Sequence, residues 1–128
     1  MRPAFLAAIA LTLVAVPAAA GPADVNAQAF YVDAKALLGK GVTAMFDKRT
    51  KPRMAQMQAA GDAARAANAA ATKAGRPLYC VSDAERKKGM TPQAAIAMLG
   101  GKTTEAERTG WTLGRAWLVA LQRTYPCN

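Results

Sequence analysis

The C-terminal stretch LGRAWLVALQRTYPCN (residues 113–128) combines the pattern of a core helix with a cysteine almost at the chain end. Its large apolar residues recur at the three- and four-residue spacing of one helix face, and these are Leu113, Trp117, Leu118 and Leu121. Pro126 ends the pattern, and Cys127 follows where chain ends usually fray. The stretch therefore predicts a core helix whose end is held in place by a covalent bond.

The partner for that bond is Cys80, the other of the two cysteines in the chain. A bridge between them would join positions that are 47 residues apart. The chain has no histidine and no C-x-x-C motif, so the cysteine pattern does not favour a metal site or a redox catalyst. We expect a structural disulfide, Cys80–Cys127, formed in an oxidising compartment.

The N-terminus, MRPAFLAAIALTLVAVPAAA (residues 1–20), has the layout of a secretory signal peptide. Arg2 precedes an apolar run that is too short to span a bilayer, and small residues follow Pro17. The alternative is an uncleaved membrane anchor. We expect cleavage after Ala20, a single domain over residues 21–128 without a further membrane span, and a periplasmic or secreted location.

Helix signals dominate the rest of the chain, and strand-like alternation is absent. Longer helices are predicted over residues 25–46, 52–74 and 105–125, a shorter one over 92–99, and one short turn between 82 and 89. Four residues are predicted as caps that open these helices or the turn: Asp24, Ser82, Thr91 and Thr104. The fold class is therefore a small all-α domain of three longer and one or two short helices, stapled by one disulfide.

The first two predicted helices differ in the size of the side chains on their inward faces. In the first, Phe30, Ala34, Leu37, Leu38, Val42 and Met45 share one face, and Gly39 and Gly41 mark a bend or a close approach. In the second, the inward face is small: Gly61, Ala64, Ala67 and Ala71. That face could pack closely on a neighbouring helix of the same chain, serve a homodimer, or belong to a solvated alanine-rich helix with high helix propensity.

The residue types needed for catalysis are nearly absent. Without histidine the usual general base is missing, and the cysteines are assigned to the disulfide. Most acidic residues lie at helix starts or in loops, where capping explains them. No phosphate-binding glycine motif and no serine nucleophile motif occurs. We therefore expect no catalytic residue, no metal site and no cofactor, and we predict that the protein is not an enzyme.

Charge is the remaining functional signal. Because Arg2 is the only charged residue among the first 20, the predicted mature chain carries 16 Lys and Arg against 8 Asp and Glu. Two basic clusters stand out, Lys48–Arg49–Lys51–Arg53 and Arg86–Lys87–Lys88. Neither is interleaved with aromatic residues, so nucleic acid is not predicted as a partner. An anionic protein or an anionic envelope surface fits better; the alternative is that these are solvated loop residues.

The C-terminal half resembles a known family. LYC (78–80), MTPQAAIAML (90–99), a spacer containing ER and then LGRAWLVALQRTYPC (113–127) follow one another. This order is similar to that of the Rap/Tai-type immunity proteins of type VI secretion systems and their exported relatives. The resemblance implies a small periplasmic helical protein, with Cys80 and Cys127 matching the family's C-terminal cysteine pair. It also implies a non-catalytic inhibitor of a secreted, amidase-type toxin.

Two functions are therefore expected as alternatives. In the first, the protein is a periplasmic binding protein, such as an immunity protein, that occludes a cell-wall-degrading toxin. The loop 82–89 would make the contact through Arg86, Lys87 and Lys88, because the bridge at Cys80 anchors one end of it and lowers the entropy lost on binding. In the second, the protein is a structural or chaperone-like component of the cell envelope, with a basic surface and no toxin partner.

Overall fold

The structure is a computed structural model that describes residues 20–128; of the predicted signal peptide, residues 1–19 lie outside the described range. The described chain forms six α-helices and two short 3-10 helices, and the predicted all-α class is confirmed. The α-helices are α1 (Ala27–Gly39), α2 (Thr50–Lys73), α3 (Asp83–Lys88), α4 (Pro92–Lys102), α5 (Glu105–Gly110) and α6 (Leu113–Thr124). The 3-10 helices are η1 (Pro22–Asp24) and η2 (Gly41–Phe46).

Helix α6 lies at the centre of the core. It packs on α1, α2 and α4, and its inward face is fully covered. The contact between α2 and α6 is the most extensive between any two elements of residues 20–128. The buried core cluster consists of Ala27, Phe30, Ala34, Ala60, Ala64, Tyr79, Ile96, Leu99, Leu113, Ala116, Trp117, Ala120 and Leu121. Trp117 is buried as the sequence predicts.

Helix α2 meets α6 through small side chains. Ala60 and Ala64 are the buried residues of α2, and Ala116 and Ala120 of α6 have no exposed surface. Of the predicted inward face, Ala64 is therefore confirmed. Gly61, Ala67 and Ala71 are half-buried instead, because the buried edge of α2 is set by Ala60.

The predicted last helix is wrong in one respect, since it consists of two helices. Trp111 and Thr112 between α5 and α6 are extended and pair with the segment before α1. The Ala27 amide donates to the Trp111 carbonyl at 3.0 Å, and the Leu113 amide donates to the Val25 carbonyl at 2.7 Å. This pairing with a distant segment is a tertiary contact that local spacing does not reveal.

The cap of α1 is also corrected. Asn26, not Asp24, is the N-cap residue, and its side chain accepts from the Ala29 amide at 3.0 Å. Asp24 instead accepts from the Gly21 amide at 2.7 Å, within η1. The predicted caps Ser82, Thr91 and Thr104 are confirmed, and they open α3, α4 and α5 respectively.

Arg108 of α5 is a buried cation that joins three helices. Its Nε donates to Gln28 Oε1 at 2.7 Å, and its Nη1 donates to the Thr103 carbonyl at 2.6 Å. The guanidinium lies over the Tyr31 ring, 4.3 Å from the ring centre. The charge is therefore satisfied by carbonyl, amide and aromatic groups, which is the requirement for burying it.

The predicted disulfide Cys80–Cys127 is present, and it closes the C-terminal end of the fold. Next to it, the Cys80 amide donates to the Tyr125 carbonyl at 2.8 Å. Asn68 of α2 holds the same loop, because its Oδ1 accepts from the Leu78 and Tyr79 amides at 2.8 and 3.2 Å. The end of α6, the loop and α2 are thus joined by one covalent and several polar links. A disulfide of this kind is typical of an oxidising compartment outside the cytoplasm.

The packing of Tyr31 predicts opposite effects at two neighbouring glycines of α4. A Cβ on Gly100 would lie 2.6 Å from Tyr31 Cζ, whereas a Cβ on Gly101 would meet nothing within 4 Å. We expect Gly100→Ala to lower the free energy of unfolding by about 2 kcal/mol through overpacking. Gly101→Ala should raise it by about 0.5–1 kcal/mol, because alanine favours the helix. Urea titration of both variants checks this, and equal stability would show that the Tyr31 ring is free to move.

Removing the disulfide should lower the free energy of unfolding by more than Gly100→Ala does. Changing both Cys80 and Cys127 to serine releases a constraint across 47 residues, which corresponds to about 4 kcal/mol in the chain-entropy model. Both cysteines are exposed, so little packing is lost with the sulfur atoms. Urea unfolding of the wild type with and without reductant, beside the double variant, measures the effect. A reduced wild type that is as stable as the oxidised protein would contradict the prediction.

Candidate protein-binding surface

The segment after α1 exposes three large apolar side chains. Val42, Met45 and Phe46 of η2 are 82%, 79% and 90% exposed, and we call them the η2 ridge. Single exposed apolar residues are common on protein surfaces, but a contiguous group is typical of an interaction site. The prediction that Val42 and Met45 lie on the buried face of one long helix is therefore wrong.

The glycines explain why the helix stops. Helix α1 ends at Gly39, and Gly41 has a φ of 58°, a left-handed conformation that glycine adopts without strain. The chain then continues as a 3-10 helix, in which side chains three residues apart lie one above the other. Val42 and Met45 therefore share one side of η2, turned away from the core.

An ion-pair network fixes the ridge to the body of the protein. Asp47, directly after η2, accepts from Lys40 Nζ at 2.7 Å and from the Arg49 guanidinium at 3.0 and 3.1 Å. Asp33 of α1 accepts from Arg49 Nη1 at 3.2 Å and from Arg53 Nη2 at 2.7 Å. Hydrogen bonds from Arg49, and then from Lys40, hold the pKa of Asp47 well below its usual range. The hydrogen bond from Arg53 is the main cause that lowers the pKa of Asp33.

This network separates the first basic cluster into two roles. Arg49 and Arg53 are committed to Asp33 and Asp47, so they hold the fold together. Lys48 and Lys51 are exposed, and neither forms an ion pair with any residue in the range 20–128. Only these two lysines of the cluster are therefore available to a partner.

An apolar groove of about 640 Å³ opens beside the ridge, between α1, the first half of α2 and the start of α4. Met54 and Met57 of α2 and Met90, which lies just before α4, contribute to its walls, and Trp117 of the core reaches it from below. Its lining residues are Phe30, Ala34, Leu37, Leu38, Gly41, Ala44, Thr50, Arg53, Met54, Met57, Gln58, Gly61, Arg65, Met90, Thr91, Pro92, Gln93, Ala95, Ile96 and Trp117. Methionine side chains adapt to differently shaped apolar partners, so this lining suits recognition of another chain.

A second depression, which we call the cleft, continues from the groove along α2. Its volume is about 620 Å³, and it is lined by Arg65, Asn68, Ala69, Thr72, Tyr79, Val81 and Arg86. Arg65 lines both the groove and the cleft. Burial raises the pKa of the Tyr79 hydroxyl, and the charges of Arg65 and Arg86 act in the opposite direction. Two arginines therefore border the cleft: Arg65 pairs with Asp62, and Arg86 forms no ion pair with a described residue.

The three predicted contact residues form the last turn of α3. Arg86, Lys87 and Lys88 are exposed, and none of them pairs with an acid in the described part of the chain. A cationic last turn also favours the helix, because it faces the negative end of the helix dipole. Arg86 alone lines the cleft, and the chain reaches the groove at Met90 after the turn at Gly89.

The sequence therefore identified the cations but not the apolar surface beside them. Gly39 and Gly41 are the sequence signal from which the end of α1, and with it the exposure of the η2 ridge, could have been predicted. The groove has no comparable signal, because it is formed by three helices that are far apart in the sequence.

No metal-binding group of three or more Cys, Asp or Glu side chains occurs within residues 20–128. In the same range, no helix is both long and apolar enough to cross a bilayer. Asp33 and Asp47 converge on Arg49, but their carboxylates are occupied by the donors described above. Comparison with protein-family models, with curated proteins and with solved structures gave no match for this chain.

Because of the ion-pair network under the ridge, we expect the free energy of unfolding to fall as the solution becomes acidic. Because the folded-state pKa of Asp33 is lowered from 3.8, its contribution is complete above that pH and is lost as the pH falls through the lower folded value. We expect Asp33→Asn to lower the melting temperature at pH 7 and to reduce the loss of stability between about pH 4 and pH 2.

Asp62→Asn is the matched control, since Asp62 forms an exposed pair with Arg65 within α2. Exposed pairs of this kind contribute little, so its melting temperature should follow that of the wild type. Thermal unfolding of the three proteins from pH 2 to pH 7 tests the prediction. Parallel pH curves for wild type and Asp33→Asn would contradict it.

Proposed function

We propose that the protein is a non-catalytic, periplasmic binding protein that occludes a secreted cell-wall-degrading enzyme, in the manner of an immunity protein. The observation that carries the proposal is the η2 ridge, three adjacent apolar side chains left in solvent beside an open apolar groove. Exposing them has no benefit for the fold of a single chain. A protein partner that covers them supplies that benefit.

Three further features support this proposal. The resemblance of residues 78–127 to the Rap/Tai-type proteins implies the inhibitor role. The disulfide is typical of an oxidising compartment such as the periplasm. The unpaired cations of α3 provide a positive surface that attracts an acidic partner during encounter.

The second candidate is a structural or chaperone-like envelope protein without a toxin partner. It is favoured by the methionine-lined groove, because adaptable apolar surfaces also suit promiscuous binding. The two candidates differ in selectivity: an immunity protein inhibits one enzyme, and a chaperone-like protein binds many unfolded chains.

A rescue experiment tests the proposal. Any secreted cell-wall hydrolase encoded beside this gene is exported to the periplasm of a bacterial host, with and without the full-length protein. We expect one hydrolase to lyse the host and co-production of the protein to restore growth. The purified residues 21–128 should inhibit that hydrolase on isolated cell walls. Growth arrest in every combination would overturn the proposal.

Charge on α3 should affect the rate of binding to the rescued hydrolase. Lys88 and Lys102 are both exposed and lie in the last turns of α3 and α4, so Lys88→Glu and Lys102→Glu are matched in charge and helix position. We expect Lys88→Glu to slow association several-fold at low salt, with a difference that shrinks as salt increases. Lys102→Glu should have the smaller effect.

Stopped-flow or surface-based kinetics at several salt concentrations provide the measurement. The melting temperatures of the two variants should agree closely, because each reversal loses the same favourable interaction at a helix end. Equal association rates for the two variants would remove Arg86, Lys87 and Lys88 from the contact surface.

A further inference from the structure

The groove and the cleft are parts of one continuous surface, which we call the α2 trough. The residues of α2 that line them recur at three- and four-residue spacing from Thr50 to Thr72. At 1.5 Å per residue this face of α2 is about 33 Å long. Its first half is lined by Met54 and Met57, and its second half is bordered by Arg65 and Arg86, of which Arg86 has no acidic partner among the described residues.

We propose that the α2 trough binds an amphipathic helix of a protein partner, with the apolar face of that helix in the groove and acidic residues over the cleft. The proposal rests on the proposed function in requiring a protein partner, and it names the chemistry of that partner. An apolar groove between helices is the usual receptor for an amphipathic helix. A length of about 33 Å corresponds to about 22 helical residues.

Charge complementarity selects an acidic partner. Lys51 lies in the first turn of α2 and Lys48 just before the helix, and Arg86 lies in the cleft at the other end of the trough. None of the three has an ion-pair partner among the described residues. Acidic side chains on the bound helix would neutralise these charges at both ends.

The same charges argue against a second copy of this chain as the occupant. Two copies facing each other through the trough would bring identical cations together at both ends. The chain has 17 Lys and Arg against 8 Asp and Glu, so it offers few acids to compensate. Like charges at close range oppose such a dimer.

The shape argues against a bilayer. A flat membrane surface would cover the η2 ridge, but it would leave the concave groove behind the ridge unfilled. A helix seated in the groove would fill it and would contact Met45 or Phe46 with its edge. Because Trp117 lines the groove, its fluorescence should report occupancy.

The test uses a 22-residue peptide with leucine on one helical face and glutamate on the other faces, and a control peptide with lysine in place of glutamate. Binding to residues 21–128 is followed by tryptophan fluorescence and calorimetry. We expect the glutamate peptide to bind at least tenfold more tightly than the lysine peptide. Equal affinity for the two peptides would overturn the proposal.

Two matched variants locate the site. Met54 lines the groove and is 67% exposed, whereas Val32 of α1 is 55% exposed and lies outside it. We expect Met54→Asp to weaken peptide binding at least tenfold and Val32→Asp to change it less than twofold. Both side chains lie outside the buried core, so both melting temperatures should stay close to that of the wild type. Equal effects of the two variants would overturn the proposal.

The same proteins also test the two other possible occupants of the trough, a membrane surface and a second copy of the chain. Binding to phosphatidylglycerol vesicles that Met54→Asp abolishes, without peptide binding, would identify a membrane surface and overturn the proposal. A concentration-dependent dimer that Met54→Asp dissociates would do the same in favour of a second copy. Light scattering and vesicle sedimentation provide these measurements.

The rescue assay separates this inference from the proposed function. If Met54→Asp loses the glutamate peptide yet protects cells from the hydrolase as well as the wild type does, the trough is not the partner site, and only this inference fails. If the wild type binds the peptide as expected but protects against no hydrolase, the proposed function fails while the trough remains a helix-binding site.

Discussion

The close contact between α2 and α6 through alanine is the constraint on which the rest of the structure depends. Alanine contributes little apolar area, so a helix held by Ala60 and Ala64 against Ala116 and Ala120 gains less per contact than one held by leucine. Small side chains compensate for this lost area by allowing the backbones of the two helices to approach each other closely. The adjoining face of α2 is left open to solvent beside this contact, and it lines the trough. The surface proposed for binding is therefore a direct consequence of how the core is built.

Each end of α2 is also held by links outside its core contact with α6. At the start, Asp33 and Asp47 bind Arg49 and Arg53, and this network also fixes the η2 ridge. At the other end, Asn68 binds the loop that leads to the disulfide. Both devices act on exposed or half-buried groups, where polar links and a covalent bond replace apolar packing. Both ends of the trough are thus tied to neighbouring segments, which favours a preformed binding surface over one that orders on binding.

The sequence predicts those features that have a local cause. The caps Ser82, Thr91 and Thr104 follow from side-chain chemistry within one turn, and the disulfide follows from there being two cysteines. The features that it does not predict depend on distant segments. The break at Trp111 and Thr112 requires the segment before α1, and the groove requires three helices at once. The cations of α3 could be identified from composition, but their relation to Arg65 and Tyr79 could not, since that pocket joins elements far apart in the chain.

The distribution of acidic residues explains why the positive charge stays at the surface. Asp33, Asp47, Asp62 and Glu107 are engaged in ion pairs with arginine or lysine. The other four acids of the chain lie in the first turns of η1, α3 and α5, where their negative charge interacts favourably with the helix dipole. All eight acids thus serve the fold, and none is left to neutralise the lysines near the trough. A fold that needed only stability could place an acid opposite Lys51 or Lys88 at little cost. The unpaired cations beside an exposed apolar surface are therefore more consistent with an acidic protein partner than with a requirement of the fold.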